Sequence, residues 1–340
     1  MTISQDASAP LIVVTLATGA QGGSVIKALS ESDRPHRIRG LTRDTTKPAS
    51  QALTKKGVEV VAIDVKPDNK QEVQKVFQGA KYAFLVTVSA VQTSKANVSS
   101  RYIQRVYDSS NALDAIQEIA EGKMYIDAAK AAEAELTIWS GLEDMAVHSG
   151  GKYLNVDHFD AKVSTKRHAL RISTVIRLTR NVSNRQIGGS YQVCQRDWAS
   201  VRDGTYVVAN PAAPESVVPL IDTANDYGLF VRKAIETPGA PEICGYGEVI
   251  SNAEIVKQLS EITGKKVTYV QVTDEQYMAS LTTSGFSELA AREFSDMFNS
   301  IAEFGYFGKA DTKPSLEGLV RLPRTWAEFV KATDWSAVLN

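Results

Sequence analysis

The first half of the chain alternates short apolar runs with segments of helical spacing. Residues 11–16 (LIVVTL) are rich in β-branched side chains, and an apolar pattern of helical spacing follows at residues 24–29. Apolar runs of this length are typical of parallel strands that are covered on both faces. The pattern predicts five further strands, at residues 36–42, 58–63, 81–87, 135–140 and 173–178. This alternation predicts an α/β fold built on a doubly wound parallel sheet.

Two polar stretches interrupt the alternation, and the last third of the chain has a different pattern. Residues 88–117 separate the fourth strand from a helix predicted at 123–132, and residues 183–203 are also polar. Loops of this length inside compact domains are usually functional or disordered. The last third predicts a helix at 251–264 with Ser251 as N-cap and Gly264 as C-cap, a strand at 266–272, and helices at 286–304 and 325–333.

Composition and charge exclude several classes of protein. The 340 residues are 43% hydrophobic and 23% charged, which is ordinary for a globular protein. Because 38 Lys and Arg face 39 Asp and Glu, no net charge attracts nucleic acid or an anionic membrane. No apolar run approaches the ~20 residues that span a bilayer, so we expect a cytoplasmic protein, or a nuclear one if it is a regulator. Cys194 and Cys244 lack metal-ligand spacing, and no metal site is expected.

A glycine-rich turn follows the first predicted strand. Glycines there let the backbone approach a pyrophosphate, and the next helix offers free N–H groups and a positive dipole end. Gly19 and Gly22 keep the spacing of the last two glycines in the pattern G-x-x-G-x-x-G, whereas Leu16 takes the first glycine's place. We expect Leu16 to adopt a negative φ or to push the turn outward, and a turn without ligand is the alternative. The sequence therefore predicts a dinucleotide site and a Rossmann-type fold.

The end of the second predicted strand carries Arg43 and Asp44. Classical NAD sites place an acidic residue there, which accepts hydrogen bonds from the ribose hydroxyls. A guanidinium can instead pair with a 2′-phosphate through two hydrogen bonds. Arg43 thus favours NADP(H) over NAD; Asp44 as the ribose ligand and a solvated Arg43 are the alternatives.

Several motifs together resemble the NmrA-like proteins, which are atypical members of the short-chain dehydrogenase/reductase superfamily. The resemblance covers nearly the whole chain and implies binding of NADP(H). It rests on residues 18–25 (TGAQGGSV), 41–43 (LTR), Asp64, residues 86–87 (VT), 140–143 (SGLE), 158–162 (HFDAK) and 324–326 (RTW).

The resemblance assigns a place along the cofactor to each matching position. The pyrophosphate would meet Leu16, Ala17, Thr18, Gly19, Ala20, Gln21 and Gly22. The adenosine phosphate would meet Arg43, and the adenine would meet Asp64 and Val65. The nicotinamide half would run past Thr87 and Val88 towards Lys162, and it would be covered by Asn181, Val182, Ser183 and Asn184. We expect an NAD(P)-binding Rossmann domain over residues 1–180, with a polar insertion at 88–117, and a smaller α/β substrate or partner lobe over 181–340 that is interleaved with it.

The chain departs from the family pattern at three places. Leu16 replaces the first glycine, Val88 follows Thr87 where relatives more often have Asn and an aromatic residue, and the segment 88–117 is expanded. The last two departures fall where the nicotinamide and the substrate would lie. They suggest an altered function or an engineered chain.

The resemblance also points to candidate catalytic groups. Active short-chain reductases use a Tyr four residues before a Lys, with a Ser at the end of the preceding strand. Here His158, Lys162 and Ser140 occupy these positions. Histidine can act as a general acid near neutral pH, which makes hydride transfer with His158 as the proton donor chemically reasonable. The alternative is that His158 is an ordinary helix residue and that Lys162 only binds ribose.

Three functions stay open from the sequence. The first is an NADP(H)-dependent oxidoreductase or redox-assisted catalyst that acts on a small hydrophobic organic substrate, for example in secondary metabolism. The second is a non-catalytic NADP(H) sensor and transcriptional regulator that binds protein partners. The third is a cofactor-impaired or engineered protein with a repurposed pocket. We expect a monomer or a homodimer that binds neither nucleic acid directly nor membranes.

Overall fold

A computed structural model describes residues 3–66, 68–87, 100–168, 174–178, 180–182, 204–239, 242–308, 313–336 and 338–339. Predictions that fall on residues 88–99 and 183–203, including Val88, Ser183 and Asn184, lie outside the described residues.

A seven-stranded parallel sheet forms the centre of the fold. Its spatial order is β10-β6-β5-β4-β1-β2-β3, and every neighbouring pair is parallel. All six predicted strands are present, and β10 is a seventh that the sequence pattern did not predict. The strands are β1 Leu11–Val14, β2 Arg37–Thr42, β3 Glu59–Ala62, β4 Ala80–Leu85, β5 Leu136–Gly141, β6 Thr174–Leu178 and β10 Glu242–Gly245. The doubly wound, Rossmann-type fold is therefore confirmed.

Helices cover both faces of this sheet, as the alternation of side chains along β1 requires. The helices that follow the first strands, and one from the second half of the chain, are α1 Ala20–Ser30, α2 Pro48–Lys55, α3 Lys70–Phe77, α4 Ser100–Ala131 and α7 Thr223–Glu236. Ile12 and Val14 pack on one face with α1 and α7, whereas Val13 packs on the other face with α3 and α4. Strand β10 and helix α7 thus belong to the central sheet and its layers although they lie in the second half of the chain. The division at residue 180 stays a prediction.

Helix α4 corrects the interpretation of residues 88–117 as a long polar loop. The helix begins at Ser100 and continues through residue 117 to Ala131. Ser and Asn at 109–111 are weak helix formers and conceal the pattern. Ile103, Val106, Leu113 and Ile116 nevertheless recur at helical spacing. Residues 100–117 therefore extend a helix of the Rossmann layer.

An apolar cluster and two small sheets lie outside the central sheet, and we call this part the smaller lobe. The cluster includes Phe159, Leu259, Phe298 and Trp326. Ser251 caps one helix by accepting a hydrogen bond from the Glu254 N–H, and that helix ends at Gly264 with φ 69°, as predicted. The remaining elements are α5 Met145–His148, α6 Asp157–His168, β7 Arg180–Val182, β8 Thr205–Asn210, β9 Val217–Asp222, β11 Glu248–Ser251, α8 Asn252–Thr263, β12 Lys266–Gln271, α9 Asp274–Thr283, α10 Glu288–Phe304 and α11 Trp326–Ala332. The sheets have the orders β11-β9-β7 and β12-β8.

Candidate cofactor site

The predicted site residues converge because the strands of a parallel sheet all end at one edge. In open α/β sheets, ligands bind beyond this carboxyl edge where the strand order reverses. Here the reversal lies between β1 and β4. The buried Thr15 hydroxyl joins these strands beyond their ends: it donates to the Val86 carbonyl at 3.0 Å and accepts from the Val86 N–H at 2.8 Å. This bridge fixes the chain on both sides of the crevice.

The glycine-rich turn contains an unusual backbone conformation at Leu16. The Leu16 φ is 49°, so the expectation of a negative φ is wrong. The turn still closes, since the Gly19 N–H donates to the Leu16 carbonyl at 2.8 Å. A Cβ at Gly22 would lie 2.4 Å from the Leu16 carbonyl oxygen, which explains why glycine is required there. Leu16 thus adopts the left-handed conformation that glycine adopts more easily.

The first turn of α1 leaves its N–H groups available to a ligand. Its N-cap residue, Gly19, is exposed and has no side chain to cap the helix, and no acidic residue lies in the first turn. Helices α2 and α3 also lack a capping side chain, whereas four other helices begin at side chains that accept a backbone N–H: Asp222, Ser251, Thr273 and Ser287. The first N–H groups of a helix lack intrahelical partners and favour an anion. This end of α1 fits a pyrophosphate.

Gln21 and Ser140 connect the turn with the predicted catalytic strand end. Ser140 is fully buried at the end of β5, and its hydroxyl donates to Gln21 Oε1 at 2.9 Å. Tyr227 on α7 is fully buried. Burial raises the pKa of Tyr227, and the neighbouring Ser140 side chain offsets part of that rise. The Ser140 hydroxyl is therefore engaged with the turn that would hold the pyrophosphate.

Arg43 and Asp44 have different surroundings at the end of β2. Arg43 is exposed. The Asp44 carboxylate accepts hydrogen bonds from the Thr46 N–H at 2.9 Å and from the Thr46 hydroxyl at 2.6 Å. The hydrogen bonds from Thr46 hold the pKa of Asp44 below its usual value. The Asp44 carboxylate is thus hydrogen-bonded within its own loop, whereas the Arg43 side chain faces solvent.

Acidic and aromatic side chains of α4 lie beside the end of β3. Burial raises the pKa of Glu121, a shift that Asp64 reinforces and Arg43 opposes, so both charges act on this carboxyl group. The Asp64 carboxylate also pairs with Lys66 at 3.0 Å and is exposed. Val65, predicted to meet the adenine, is 6% exposed and packs in the core with Leu41 and Phe77. Asp64 is therefore the accessible member of the predicted adenine pair.

Lys162 reaches the end of β4 and forms a buried cluster there. Its ammonium donates to the Thr87 carbonyl at 2.7 Å and to Glu118 Oε1 at 2.8 Å. The Thr87 hydroxyl donates to the same Glu118 oxygen at 2.8 Å. The Lys162 and Glu118 side chains are only 7% and 2% exposed. The structure thus brings together Thr87 and Lys162, two of the predicted site residues, and adds an acidic partner that the sequence analysis missed.

A pattern in the sequence could have identified Glu118 as a buried site residue. It lies one turn before Gly122, and the buried residues Tyr125, Ile126 and Ala129 follow at helical spacing. An acidic residue on the apolar stripe of a helix is expected to have a buried partner. The sequence analysis missed this pattern because it predicted the helix only at residues 123–132, which leaves Glu118 outside.

The other predicted residues are placed by their backbone only. His158 lies in α6, four residues before Lys162, and its side chain lies outside the described residues. Asn181 and Val182 lie in β7, opposite Ile221 and Asp222 of β9. These positions do not test the predicted roles.

Aromatic side chains gather beside the carboxyl edge. Tyr246 follows β10, and its ring stacks on Phe307 with centroids 5.6 Å apart. Tyr306 connects this pair with Phe159 of α6, with centroid distances of 5.6 Å to Phe307 and 5.4 Å to Phe159. Burial raises the pKa of Tyr246 to about 12. This aromatic cluster covers α6 on the side of the smaller lobe.

Over the described ranges, no three His, Cys, Asp or Glu side chains are grouped as metal ligands. No helix in the same ranges is long and apolar enough to cross a bilayer.

Comparisons with known proteins agree with this architecture. An NmrA-like family domain-containing oxidoreductase of Malbranchea aurantiaca is 25% identical over 78% of this chain and 77% of its own length. The NADPH-dependent quinone oxidoreductase QOR2 of Escherichia coli, solved with NADPH, has a TM-score of 0.67 at 20% identity, covering 94% of this chain and 99% of that one. NmrA, a negative transcriptional regulator solved with NAD, has a TM-score of 0.65 at 18% identity, covering 96% and 99%.

These structures share the fold of the chain, and one belongs to an oxidoreductase while the other belongs to a regulator. The model of the NmrA-like family matches residues 8–330, which is nearly the whole sequence. The chain belongs to the NmrA-like family.

Proposed function

We propose that this protein binds NADP(H) in the crevice between β1 and β4 and acts as an oxidoreductase on a small hydrophobic organic substrate. The observation that carries the proposal is the uncapped N-terminus of α1, which shares one sheet edge with Arg43 and Lys162. Backbone N–H groups and a guanidinium suit the two phosphate groups of such a cofactor. The oxidoreductase among the relatives and QOR2 with its NADPH support the same function.

The residues of this chain divide the binding between them. The N–H groups of Ala20 and Gln21 would hold the pyrophosphate, and Arg43 would hold the 2′-phosphate. Lys162 would donate a hydrogen bond to the nicotinamide half. When bound, the cofactor supplies a hydride; the aromatic cluster would exclude water from the substrate.

Arg43 provides the test of NADP(H) preference. We expect Arg43→Leu to weaken NADPH binding about 10- to 100-fold, because a guanidinium–phosphate pair contributes roughly 1.5–3 kcal/mol. NADH binding should change little, since NADH lacks the 2′-phosphate. Lys55→Leu, which removes an exposed charge from α2, is the matched control. Equal affinity of Arg43→Leu and wild type for NADPH would contradict the proposed preference.

Oxidation of NADPH tests the enzymatic part. The purified protein would be incubated with NADPH and a panel of enones, imines, quinones and aldehydes, and the absorbance of NADPH would be followed. Acceptor-dependent consumption supports the oxidoreductase, and none with any acceptor contradicts it.

A second candidate function is an NADP(H) sensor. It is favoured by the pairing of Lys162 with Glu118 at 2.8 Å and by His158 in place of the reductase tyrosine. A sensor requires different affinities for NADPH and NADP+. Equal affinities, together with protein partners that bind regardless of cofactor, would remove this candidate.

A further inference from the structure

Glu118 is the buried acidic group at the centre of the Lys162 cluster. One carboxylate oxygen, Oε1, accepts hydrogen bonds from both the Lys162 ammonium and the Thr87 hydroxyl, each at 2.8 Å. The Glu118 side chain is only 2% exposed. Breaking a buried ion pair leaves an uncompensated charge, so each partner holds the other in place.

The hydrogen bonds of the ammonium are distributed unevenly. An ammonium has three N–H donors. Two of them donate hydrogen bonds, one to Glu118 Oε1 at 2.8 Å and one to the Thr87 carbonyl at 2.7 Å. Among the described residues, the remaining contact is Thr87 Oγ1 at 3.5 Å, the outer limit of a hydrogen bond. Within the described ranges, one N–H of Lys162 is thus held only weakly, at the end of the strand that borders the crevice.

Close contact between α4 and α6 sets this geometry. A Cβ at Gly122 would lie 2.4 Å from Thr165 Cγ2, so the two helices approach through glycine. Glu118 lies one turn before Gly122 on α4, and Lys162 lies almost one turn before Thr165 on α6. The helix contact therefore brings the carboxylate to the ammonium.

We propose that Glu118 is a positioning residue for the nicotinamide half of the cofactor. It fixes the Lys162 ammonium beside Thr87, with one N–H directed to a hydroxyl of the ligand. Lys162 then acts as a hydrogen-bond donor and not as a proton acceptor. This inference rests on the proposed NADP(H) site.

The test compares two ligands that differ in the nicotinamide half. Titrations would measure the dissociation constants of NADPH and of adenosine 2′,5′-bisphosphate, which lacks that half, for wild type and Glu118→Gln. We expect Glu118→Gln to weaken NADPH binding about ten-fold or more and to leave the bisphosphate within about two-fold, because charge-assisted hydrogen bonds are the stronger ones. A structural defect would weaken both ligands.

Asp127→Asn is the matched control. Asp127 is also an acidic residue of α4 that pairs with α6, through His168 at 3.0 Å, but its side chain is 36% exposed. We expect this variant to bind both ligands like wild type.

The double variant Glu118→Gln/Lys162→Met covers the case in which Glu118→Gln alone does not fold, since it removes both buried charges. It should bind NADPH as weakly as Lys162→Met alone and bind the bisphosphate normally. The inference is overturned if folded Glu118→Gln binds NADPH like wild type, if it loses both ligands equally, or if the double variant is weaker than Lys162→Met. If wild type binds neither ligand, the proposed function itself fails.

Discussion

Gly122 is the position at which a single methyl group should disturb both stability and the candidate site. Its Cβ in Gly122→Ala would lie 2.4 Å from Thr165 Cγ2, 2.9 Å from Thr165 Oγ1 and 3.1 Å from Trp139 Cη2. Ordinary van der Waals contact begins near 3.4 Å. Thr165 and Trp139 are fully buried and have little room to yield. The helices α4 and α6 must therefore separate by about 1 Å.

The expected magnitude follows from two opposing effects. Overpacking a buried contact costs about 1–3 kcal/mol. Replacing glycine by alanine inside a helix stabilises the folded state by up to about 1 kcal/mol, because alanine has the higher helix propensity. We expect a net loss of about 1–2 kcal/mol in the free energy of unfolding. A separation of about 1 Å would also stretch the 2.8 Å contact between Glu118 and Lys162 beyond hydrogen-bond range, so NADPH should bind more weakly.

A double-mutant cycle isolates the contact. Thr165→Ala removes the two atoms nearest to the new methyl group and leaves only Trp139 Cη2 at 3.1 Å, so Gly122→Ala/Thr165→Ala should recover at least about 1 kcal/mol relative to additivity. Gly23→Ala is the control, because its Cβ would meet nothing closer than 3.8 Å and should be neutral or stabilising. Urea denaturation would supply the free energies. Gly122→Ala as stable as wild type, without coupling to Thr165, would refute the close-contact argument.

Three further predictions concern individual residues. Leu16→Gly should change NADPH affinity less than about three-fold, or under about 0.7 kcal/mol, because Leu16 already has a φ of 49°; a large gain by titration would indicate a cofactor-impaired protein. Burial lowers the pKa of His36, so its contribution to stability is present above pH 6.5 and is lost as the pH falls towards the folded-state pKa. His36→Phe should therefore reduce the pH dependence of the free energy of unfolding in this range, measured by urea denaturation at a series of pH values. An unchanged pH dependence would contradict this prediction. Because the Ser140 hydroxyl is held by Gln21, Tyr227→Phe should leave NADPH affinity unchanged. A loss of NADPH affinity in calorimetric titrations would show that Tyr227 also positions the Ser140 hydroxyl.

The sequence predicted the sheet well because buried parallel strands are apolar on both faces. Strand β10 was not predicted because its four residues include Glu242 and Gly245, which interrupt an apolar pattern. It joins the sheet by pairing with β6. The predicted start of α4 was wrong because the weak helix formers at 109–111 interrupt the apolar pattern in the sequence. For β10, the tertiary contact with β6 was decisive.

The φ of Leu16 could not be predicted from local sequence either. Its two neighbours are fixed by different strands: the Thr15 N–H bonds to Phe84 at 3.1 Å, and the Ala17 N–H bonds to Leu41 at 2.9 Å. A Cβ at Gly40 would lie 2.8 Å from Ala17 Cβ, so Ala17 packs tightly on β2. The chain must reverse between these anchors, and Leu16 accepts a strained conformation that costs about 1–2 kcal/mol.

The acidic partner of Lys162 changes what the two candidate functions require. A lysine held beside Glu118 at 2.8 Å, with the Thr87 carbonyl as a second acceptor, is fixed as a donor. A reductase would then have to take its proton from another group, and His158 is the candidate at the matching helical position. A sensor needs no proton donor and would use the same cluster only to recognise the nicotinamide half. Loss of NADPH affinity in Glu118→Gln is therefore expected for both functions, whereas acceptor-dependent oxidation that disappears in His158→Gln is expected only for the reductase.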